Sequence, residues 1–194
     1  MKTVIGQLLF TLFVISLAAC AAKAETANPS SKPVSGWGPI EFGQALTMDV
    51  ISKLGRDCQR KAALVDLHQE LTCDVPVFGC TLELDVFTKA GLAVDIQLSG
   101  DPEDLGACVD TIKKTISGKY SLTDARSDEA QDIKTSFYAD YQIEISEESS
   151  EDESEFSVSY HSPDIAAGVA KARAAEKQAE KAKKKVKPFD ESAF

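Results

Sequence analysis

The sequence of 194 residues lacks the short motifs that mark common catalytic and metal sites. It contains no GxSxG, HExxH or CxxC spacing, and its only histidines are His68 and His161. These absences exclude the familiar serine-hydrolase, zinc-protease and paired-cysteine zinc signatures. The EF-hand pattern is also missing, so the seven carboxylates between Glu144 and Glu155 are interpreted as a solvated loop. We therefore expect no catalytic residue, no cofactor and no metal site.

The chain has a long apolar run at its N-terminus. Lys2 precedes the run, which extends from Leu8 to Leu17 with two polar interruptions. It is too short to cross a bilayer as a helix of the mature protein, and it is typical of a secretory signal. We therefore expect residues 1–19 to be a signal peptide that takes no part in the fold.

The signal ends on Leu17-Ala18-Ala19-Cys20, which resembles the lipobox of bacterial lipoproteins. The resemblance implies that Cys20 is acylated, with palmitate among its chains, and becomes the first residue after cleavage. Acyl chains embed at about 0.8 kcal/mol per buried methylene, so such a cysteine is a stable anchor. Ala21 stands where an inner-membrane retention signal would have aspartate, which implies the outer membrane, facing the periplasm. The alternative is cleavage after Ala24, which gives a soluble periplasmic or secreted protein.

Composition changes where the folded part begins. Residues 20–36 are small, polar and proline-bearing, as in a flexible tether. Residues 37–162 show the hydrophobic periodicity of a single domain, and residues 163–194 form a charged helical tail. We therefore expect one domain between a tether and a tail.

Two amphipathic helices are predicted within this domain. The first is N-capped by Thr47 and ends at Gly55. The second starts at Asp101 or Pro102 and ends at Gly118. Their apolar stripes are Met48, Ile51 and Leu54 in the first helix, and Leu105, Cys108, Val109, Ile112 and Ile116 in the second.

A period of two between the helices predicts antiparallel strands, with turns at Phe78-Gly79 and Ala90-Gly91. The expected inward-facing residues are Leu71, Cys73, Val75, Val77, Cys80, Leu82, Leu84, Val86, Leu92, Val94, Ile96 and Leu98. After the second helix, alternating runs over 133–147 and 154–162 predict a hairpin around an acidic turn. The expected fold is α+β: a two-layer antiparallel sheet with helices packed on one face, plus the charged C-terminal helix.

Two stretches of this domain carry a further resemblance. The sequence "PIEFG" before a short helix and the hairpin "FTKAGLAVDIQLS" resemble small envelope domains of the outer-membrane assembly-lipoprotein type. Secreted β-lactamase-inhibitor proteins are similar in their helix-then-strands plan. The resemblance implies a small exported sheet-and-helix domain and includes no diagnostic motif.

Four cysteines remain beyond Cys20, and an even number in an exported chain predicts two disulfides. Three of them, Cys73, Cys80 and Cys108, fall on predicted core-facing positions. A helix packed on the sheet favours Cys80 with Cys108, which leaves Cys58 for Cys73. The alternative joins Cys73 to Cys80 and Cys58 to Cys108, and it requires one particular cross-strand register.

Charge is distributed unevenly along the chain. Residues 171–187 have a net charge of +6, and the rest of the chain after the signal has −17. The tail lacks an apolar stripe, which disfavours a coiled coil or a membrane-lying helix. It is a solvated helix, a contact for an anionic envelope surface, or a segment that docks onto the protein's own acidic face. Nucleic acid is not expected as a partner of an acidic, exported domain.

Together these features predict a non-enzymatic protein-interaction module of the bacterial envelope, which contacts an envelope protein or an anionic envelope surface. Trp37, Tyr138 and Tyr141 are candidate exposed anchors, or else core residues. A second hypothesis is a periplasmic domain for a small ligand or lipid, which requires a concave apolar cavity between sheet and helices. A third, a hydrolase, requires carboxylates clustered in a cleft.

Overall fold

A computed structural model describes residues 33–55, 58–60, 67–150 and 154–185. The predicted signal peptide, Cys20 and most of the predicted tether lie outside these ranges. Of the tether, Val34 is buried, and its backbone exchanges hydrogen bonds of 3.1 and 3.2 Å with the side chain of Gln142. The described chain is thus fixed to the sheet from Val34 onward.

The described residues contain ten strands and four helices. The first part comprises β1 (Gly36–Trp37), β2 (Ile40–Glu41), α1 (Met48–Leu54), β3 (Gln59–Arg60), β4 (Leu67–Val77), β5 (Cys80–Lys89) and β6 (Leu92–Gly100). The second part comprises α2 (Pro102–Leu105), α3 (Ala107–Lys119), β7 (Leu122–Asp128), β8 (Ile133–Tyr138), β9 (Ile143–Ser149), β10 (Ser154–His161) and α4 (Pro163–Lys185). This is a sheet-rich α+β fold.

Eight strands form one antiparallel sheet in the order β3-β4-β5-β6-β10-β9-β8-β7. Each half is a meander of four strands in which sequential neighbours pair. The halves meet where β6 pairs with β10, with Leu98 opposite Val158. Because both strands lie in the middle of the sheet, the core is continuous across the junction.

Most of the core lies on one face of this sheet. Leu84 of β5 is opposite Cys73 of β4 and Leu98 of β6, and all three are buried. Val158 and Ile145 continue the same row on β10 and β9. Buried residues of α1 and α3 belong to the same core cluster. Burial at alternate positions is the pattern expected of antiparallel strands with one face toward a core.

The two predicted turns in the first meander are confirmed. Phe78 and Gly79, and likewise Ala90 and Gly91, have positive φ angles. Two consecutive residues with positive φ give the tight twist that connects neighbouring antiparallel strands. The first turn joins β4 to β5 and the second joins β5 to β6, at the places that the hydrophobic alternation predicts.

Two residues of β6 do not face the core as expected. Leu92 is 42% exposed and Val94 is only partly buried, whereas Ala93 is buried. The pairing of β5 with β6 shifts between Phe87 and Thr88, which is a bulge. One extra residue reverses the inward and outward positions beyond it, so Ala93 takes the inner position.

The predicted hairpin around the acidic segment is present as the β9–β10 pair, but it is part of a four-stranded meander that the sequence did not predict. Residues 133–147, predicted as a single strand, divide into β8 and β9 around a turn in which Ala139, Asp140 and Tyr141 all have positive φ. No glycine or proline marks this turn. Strand β7 lies at the sheet edge and is largely polar, so it has no hydrophobic alternation to identify it.

Both predicted helices are present, with local corrections. Thr47 caps α1 by accepting a hydrogen bond from the backbone N–H of Val50 at 3.3 Å. Met48 is 70% exposed, since only Ile51 and Leu54 of the predicted stripe face the core. The second helix is divided into α2 and α3 at Gly106, whose φ of 49° interrupts the helical path.

The first part of the charged tail docks on the sheet. Helix α4 begins directly after β10, and its Arg173 is buried. The Arg173 guanidinium lies 5.7 Å from the centroid of the Phe137 ring and donates to Asp124 at 3.3 Å. Lys177 donates to the same carboxylate at 2.7 Å and holds the pKa of Asp124 below its usual value. From Ala174 to Ala182 the residues of α4 are exposed, although Lys177 in this range still reaches Asp124. The contact corresponds to docking of α4, through Arg173 and Lys177, on an acidic part of the protein itself.

Candidate functional site

A groove opens between α3 and the covered face of the sheet, and we call it the α3 groove. Its volume is about 390 Å³. The aliphatic lining comprises Val77, Leu82, Leu98, Ile112, Ile116 and Val158, and the aromatic lining comprises Trp37, Phe78, Tyr120 and Tyr160. Gly36, Gly38, Pro76, Thr115 and Lys119 complete it. A concave site of this size with a mainly apolar lining is typical of small-molecule binding sites.

Trp37 enters the groove through the β1–β2 hairpin. Gly36 pairs with Glu41, and its φ of 148° is accessible mainly to glycine. A Cβ on Gly36 would stand 1.9 Å from the carbonyl oxygen of Ile40, so no other residue fits. The neighbouring Trp37 is therefore held against the sheet by the backbone path.

Phe78 is the exposed edge of the groove. It lies in the turn between β4 and β5, with a φ of 51° and 56% of its surface exposed. A bulky residue with positive φ is uncommon and costs on the order of 1–3 kcal/mol. Core packing does not explain why an aromatic ring in this backbone conformation is exposed to solvent.

The disulfides join Cys80 to Cys108 and Cys58 to Cys73, with Cα separations of 6.4 and 4.2 Å. This is the pairing that places a helical cysteine on the sheet, rather than the pairing across the hairpin. Cys80 follows the Phe78-Gly79 turn, and Cys108 lies in the first turn of α3. The Cys80–Cys108 bond therefore fixes the Phe78 turn to the helix that forms the wall of the groove.

Helix α3 is held over the sheet by apolar contacts and one ion pair. Ile112 and Ile116 are buried one turn apart and face the groove. Lys113 reaches Glu147 of β9 at 2.8 Å on the same face of the sheet. Both partners of this pair are partly exposed, so its contribution is small and mainly orients the helix.

The polar groups of the described lining include two phenols and one ammonium. Lys119 ends α3, and its Nζ lies 5.0 Å from the centroid of the Tyr120 ring. Burial raises the pKa of the Tyr160 phenol, and the neighbouring Tyr120 adds to this effect. Tyr160 therefore stays neutral at physiological pH and can donate a hydrogen bond into the groove.

A second polar cluster lies on the opposite face of the sheet, around His161. The imidazole of His161 is bound by Asp95 at 3.0 Å through Nδ1 and by Glu144 at 3.4 Å through Nε2. Burial lowers its pKa, but the hydrogen bonds and charges of the two carboxylates prevail and raise the pKa of His161 to about 9. Because both ring nitrogens are bound by carboxylates, the imidazolium links three strands and is not free to act as a base.

The pKa of His161 predicts a loss of stability in alkaline solution. The folded value of about 9 is above the unfolded value of 6.5, so the contribution is complete below pH 6.5 and lost as pH rises through 9. It amounts to roughly 3 kcal/mol. Urea unfolding at pH 6, 7.5 and 9.5 should show the difference between wild type and His161→Gln shrinking with pH. A difference that stays constant over this range would contradict the assignment.

The remaining candidate residues from the sequence, one histidine and two tyrosines, lie in strands or turns of the fold. His68 lies in β4, with Nε2 3.1 Å from the Thr88 hydroxyl. Tyr141 is partly buried, stacks at 5.3 Å on Phe137 and donates to Asp124 at 3.3 Å. Tyr138 is partly buried against the core. Of the three candidate aromatic anchors, the groove contains Trp37.

No protein family, no curated protein and no solved structure matches the chain. No helix in the described ranges is both long and apolar enough to cross a membrane. Among the described residues, no group of three or more histidines, cysteines or acidic residues is placed to hold a metal ion.

Proposed function

We propose that this chain is an exported, lipid-anchored binding protein of the bacterial envelope, without catalytic activity, and that its ligand is a small apolar or amphipathic molecule held in the α3 groove. The observation that carries the proposal is the concave, aromatic-lined space of about 390 Å³ between helix and sheet. The small-ligand hypothesis requires such a space, whereas a module that acts through a flat contact does not. In this proposal α1, α3 and the covered sheet face form the two-layer unit that encloses the ligand.

The location rests on the cysteines. Two disulfides are consistent with an extracytoplasmic protein, since thiols stay reduced in most cytosols. The Leu17-Ala18-Ala19-Cys20 sequence supports acylation at the outer membrane. Only 13 residues separate Cys20 from Val34, so in this proposal the anchored groove lies close to the membrane surface.

A substitution that fills part of the groove should weaken ligand binding. Thr115 lines the groove, whereas Thr111 lies one helical turn earlier and outside the lining. The hydroxyl of each donates to the carbonyl four residues earlier, at 2.8 Å for Thr115 and 3.0 Å for Thr111. With the exported Cys20→Ala chain, titration by the neutral dye N-phenyl-1-naphthylamine should saturate at one site. Thr115→Trp should weaken the affinity about tenfold or more, since it removes the contact of roughly two methylene-sized groups. Thr111→Trp is the matched control and should bind as the parent does.

Two results would contradict binding in the groove. Absence of saturable dye binding, or an equal loss in both tryptophan variants, would show that the groove is not a binding site. Circular dichroism and urea unfolding of the two variants establish that each is folded before binding is compared.

Anchoring is tested by Cys20→Ala. Wild type is expected in the membrane fraction, with mass spectrometry detecting acyl chains on an N-terminal Cys20, and the variant is expected in the soluble fraction because it has no thiol to acylate. A Cys20→Ala protein that stays with the membranes would contradict the lipid anchor. A wild-type protein that starts at Glu25 would instead support cleavage after Ala24.

A second candidate function is the protein-interaction module, in which an envelope protein binds at the exposed edge of the groove. Phe78 favours it, because the ring is 56% exposed in a strained turn. Aromatic residues presented in this way are frequent anchors of interfaces. In a pull-down from solubilised membranes, this function predicts a partner that is lost with Phe78→Ala and retained with Thr115→Trp. The small-ligand function predicts no such partner.

A further inference from the structure

The charge inside the α3 groove differs from that of the chain as a whole. The protein has a formal net charge of −10, with 31 acidic residues. Among the described residues that line the groove there is no carboxylate, and Lys119 is the charged one. In an acidic protein, a site without acidic groups and with an ammonium at its edge is complementary to an anion.

The ammonium of Lys119 is available to a ligand. Lys53, Lys113 and Lys177 each pair with a carboxylate at 2.7 or 2.8 Å. Lys119 has no carboxylate within ion-pair distance in the described part of the chain, and its Nζ faces the ring of Tyr120 instead. An ammonium over an aromatic ring keeps donors free for a further partner.

The apolar side chains of the lining indicate what kind of molecule carries the anionic group. Leu82, Leu98 and Val158 form the floor of the groove, and Ile112 and Ile116 form its helical wall. These side chains are hydrocarbon, so contact with them favours the apolar part of a ligand. Trp37 and Phe78 add flat apolar surfaces near the opening.

We infer that the ligand is a single-chain amphiphile with one anionic head group, whose chain lies between α3 and the sheet and whose head group pairs with Lys119. The inference rests on the proposed function, since it assigns the ligand class of the same groove. Because Lys119 is exposed, the ion pair contributes up to about 1 kcal/mol, which is a factor of about five in affinity.

The test uses three ten-carbon probes that differ in charge, namely decanoate, decan-1-ol and decyltrimethylammonium. Trp37 lines the groove and is the single tryptophan of the chain, so its fluorescence reports binding directly. With the exported Cys20→Ala chain at low salt, decanoate should bind about fivefold more tightly than the alcohol, and the cation should bind most weakly. Lys119→Gln should bring decanoate to the affinity of the alcohol. Lys114→Gln is the matched control, because Lys114 is exposed on the same helix and outside the groove.

Each outcome supports or overturns one level of the proposal. Equal affinities for decanoate and the alcohol, unchanged by Lys119→Gln, would overturn the anionic class and leave apolar binding in the groove standing. If decyltrimethylammonium binds most tightly, the anionic class is likewise overturned and apolar binding in the groove still stands. If none of the three probes changes the Trp37 emission or displaces the naphthylamine dye, the proposed function fails and the inference fails with it.

Discussion

Replacing Phe156 by alanine is expected to lower the free energy of unfolding by about 3–5 kcal/mol. The ring is completely buried on β10, opposite Gly100 of β6, at the junction of the two meanders. Leu105 occupies the space above Gly100, where an added Cβ would lie 3.3 Å from its Cδ1. Truncating Phe156 therefore opens a cavity that the neighbouring side chains are too tightly packed to fill. Urea unfolding of wild type and variant measures the difference.

Phe78→Ala is the control for this prediction. It removes the same ring from a position that is 56% exposed, so the free energy of unfolding should change by less than about 0.5 kcal/mol. The two phenylalanines thus separate stability from binding, because Phe78 lines the groove and Phe156 does not. A loss at Phe78 as large as at Phe156 would show that the turn is part of the core.

Removing the disulfide between Cys80 and Cys108 is expected to destabilise the fold by about 3.5 kcal/mol and to weaken binding in the groove. The Cys80–Cys108 bond closes a loop of 28 residues, and the Cys58–Cys73 bond closes a loop of 15 residues. Loop entropy gives roughly 3 kcal/mol for the shorter loop and about 0.5 kcal/mol more for the longer one. The Cys80–Cys108 bond also ties the Phe78 turn to α3, whereas Cys58–Cys73 joins the segment after α1 to β4.

The paired double alanine variants distinguish these two roles. Both should unfold at lower urea concentration, and only Cys80→Ala with Cys108→Ala should lose affinity for the naphthylamine dye by more than its loss of folded fraction explains. Equal dye affinity in the two folded double variants would show that the groove does not depend on the bond to α3.

In the first meander, β5 and the turns that flank it could be predicted from the sequence because local pattern and tertiary structure agree there. Leu82, Leu84 and Val86 alternate with polar residues, and glycines mark the turns on either side. In the second meander this agreement is missing. The turn at Ala139 contains no glycine. In the edge strand β7, the side chain of Asp124 is only 8% exposed because α4 lies over it, although hydrophobic periodicity expects an apolar residue at a buried position. Tertiary packing, rather than local preference, determines these elements.

The groove was less accessible to sequence reasoning than the fold. Its lining comes from β1, β4, β5, β6, β10 and α3, so it exists only once distant segments are packed together. Phe78 gave one local signal, since an aromatic residue in a turn that requires positive φ is unusual. Lys119 gave none, because a lysine in the last turn of a helix is expected from the helix dipole alone.

The central claim, that the α3 groove binds the apolar part of a ligand, is tested most directly by methyl NMR on the exported Cys20→Ala chain during titration with decanoate. The account predicts shift changes concentrated on Ile112, Ile116, Leu82, Leu98 and Val158, which line the groove. The buried methyls of Ile51, Leu71 and Ile143, which lie outside its lining, should keep their positions. Shifts spread evenly over both groups, or no shifts at saturating decanoate, would contradict the claim.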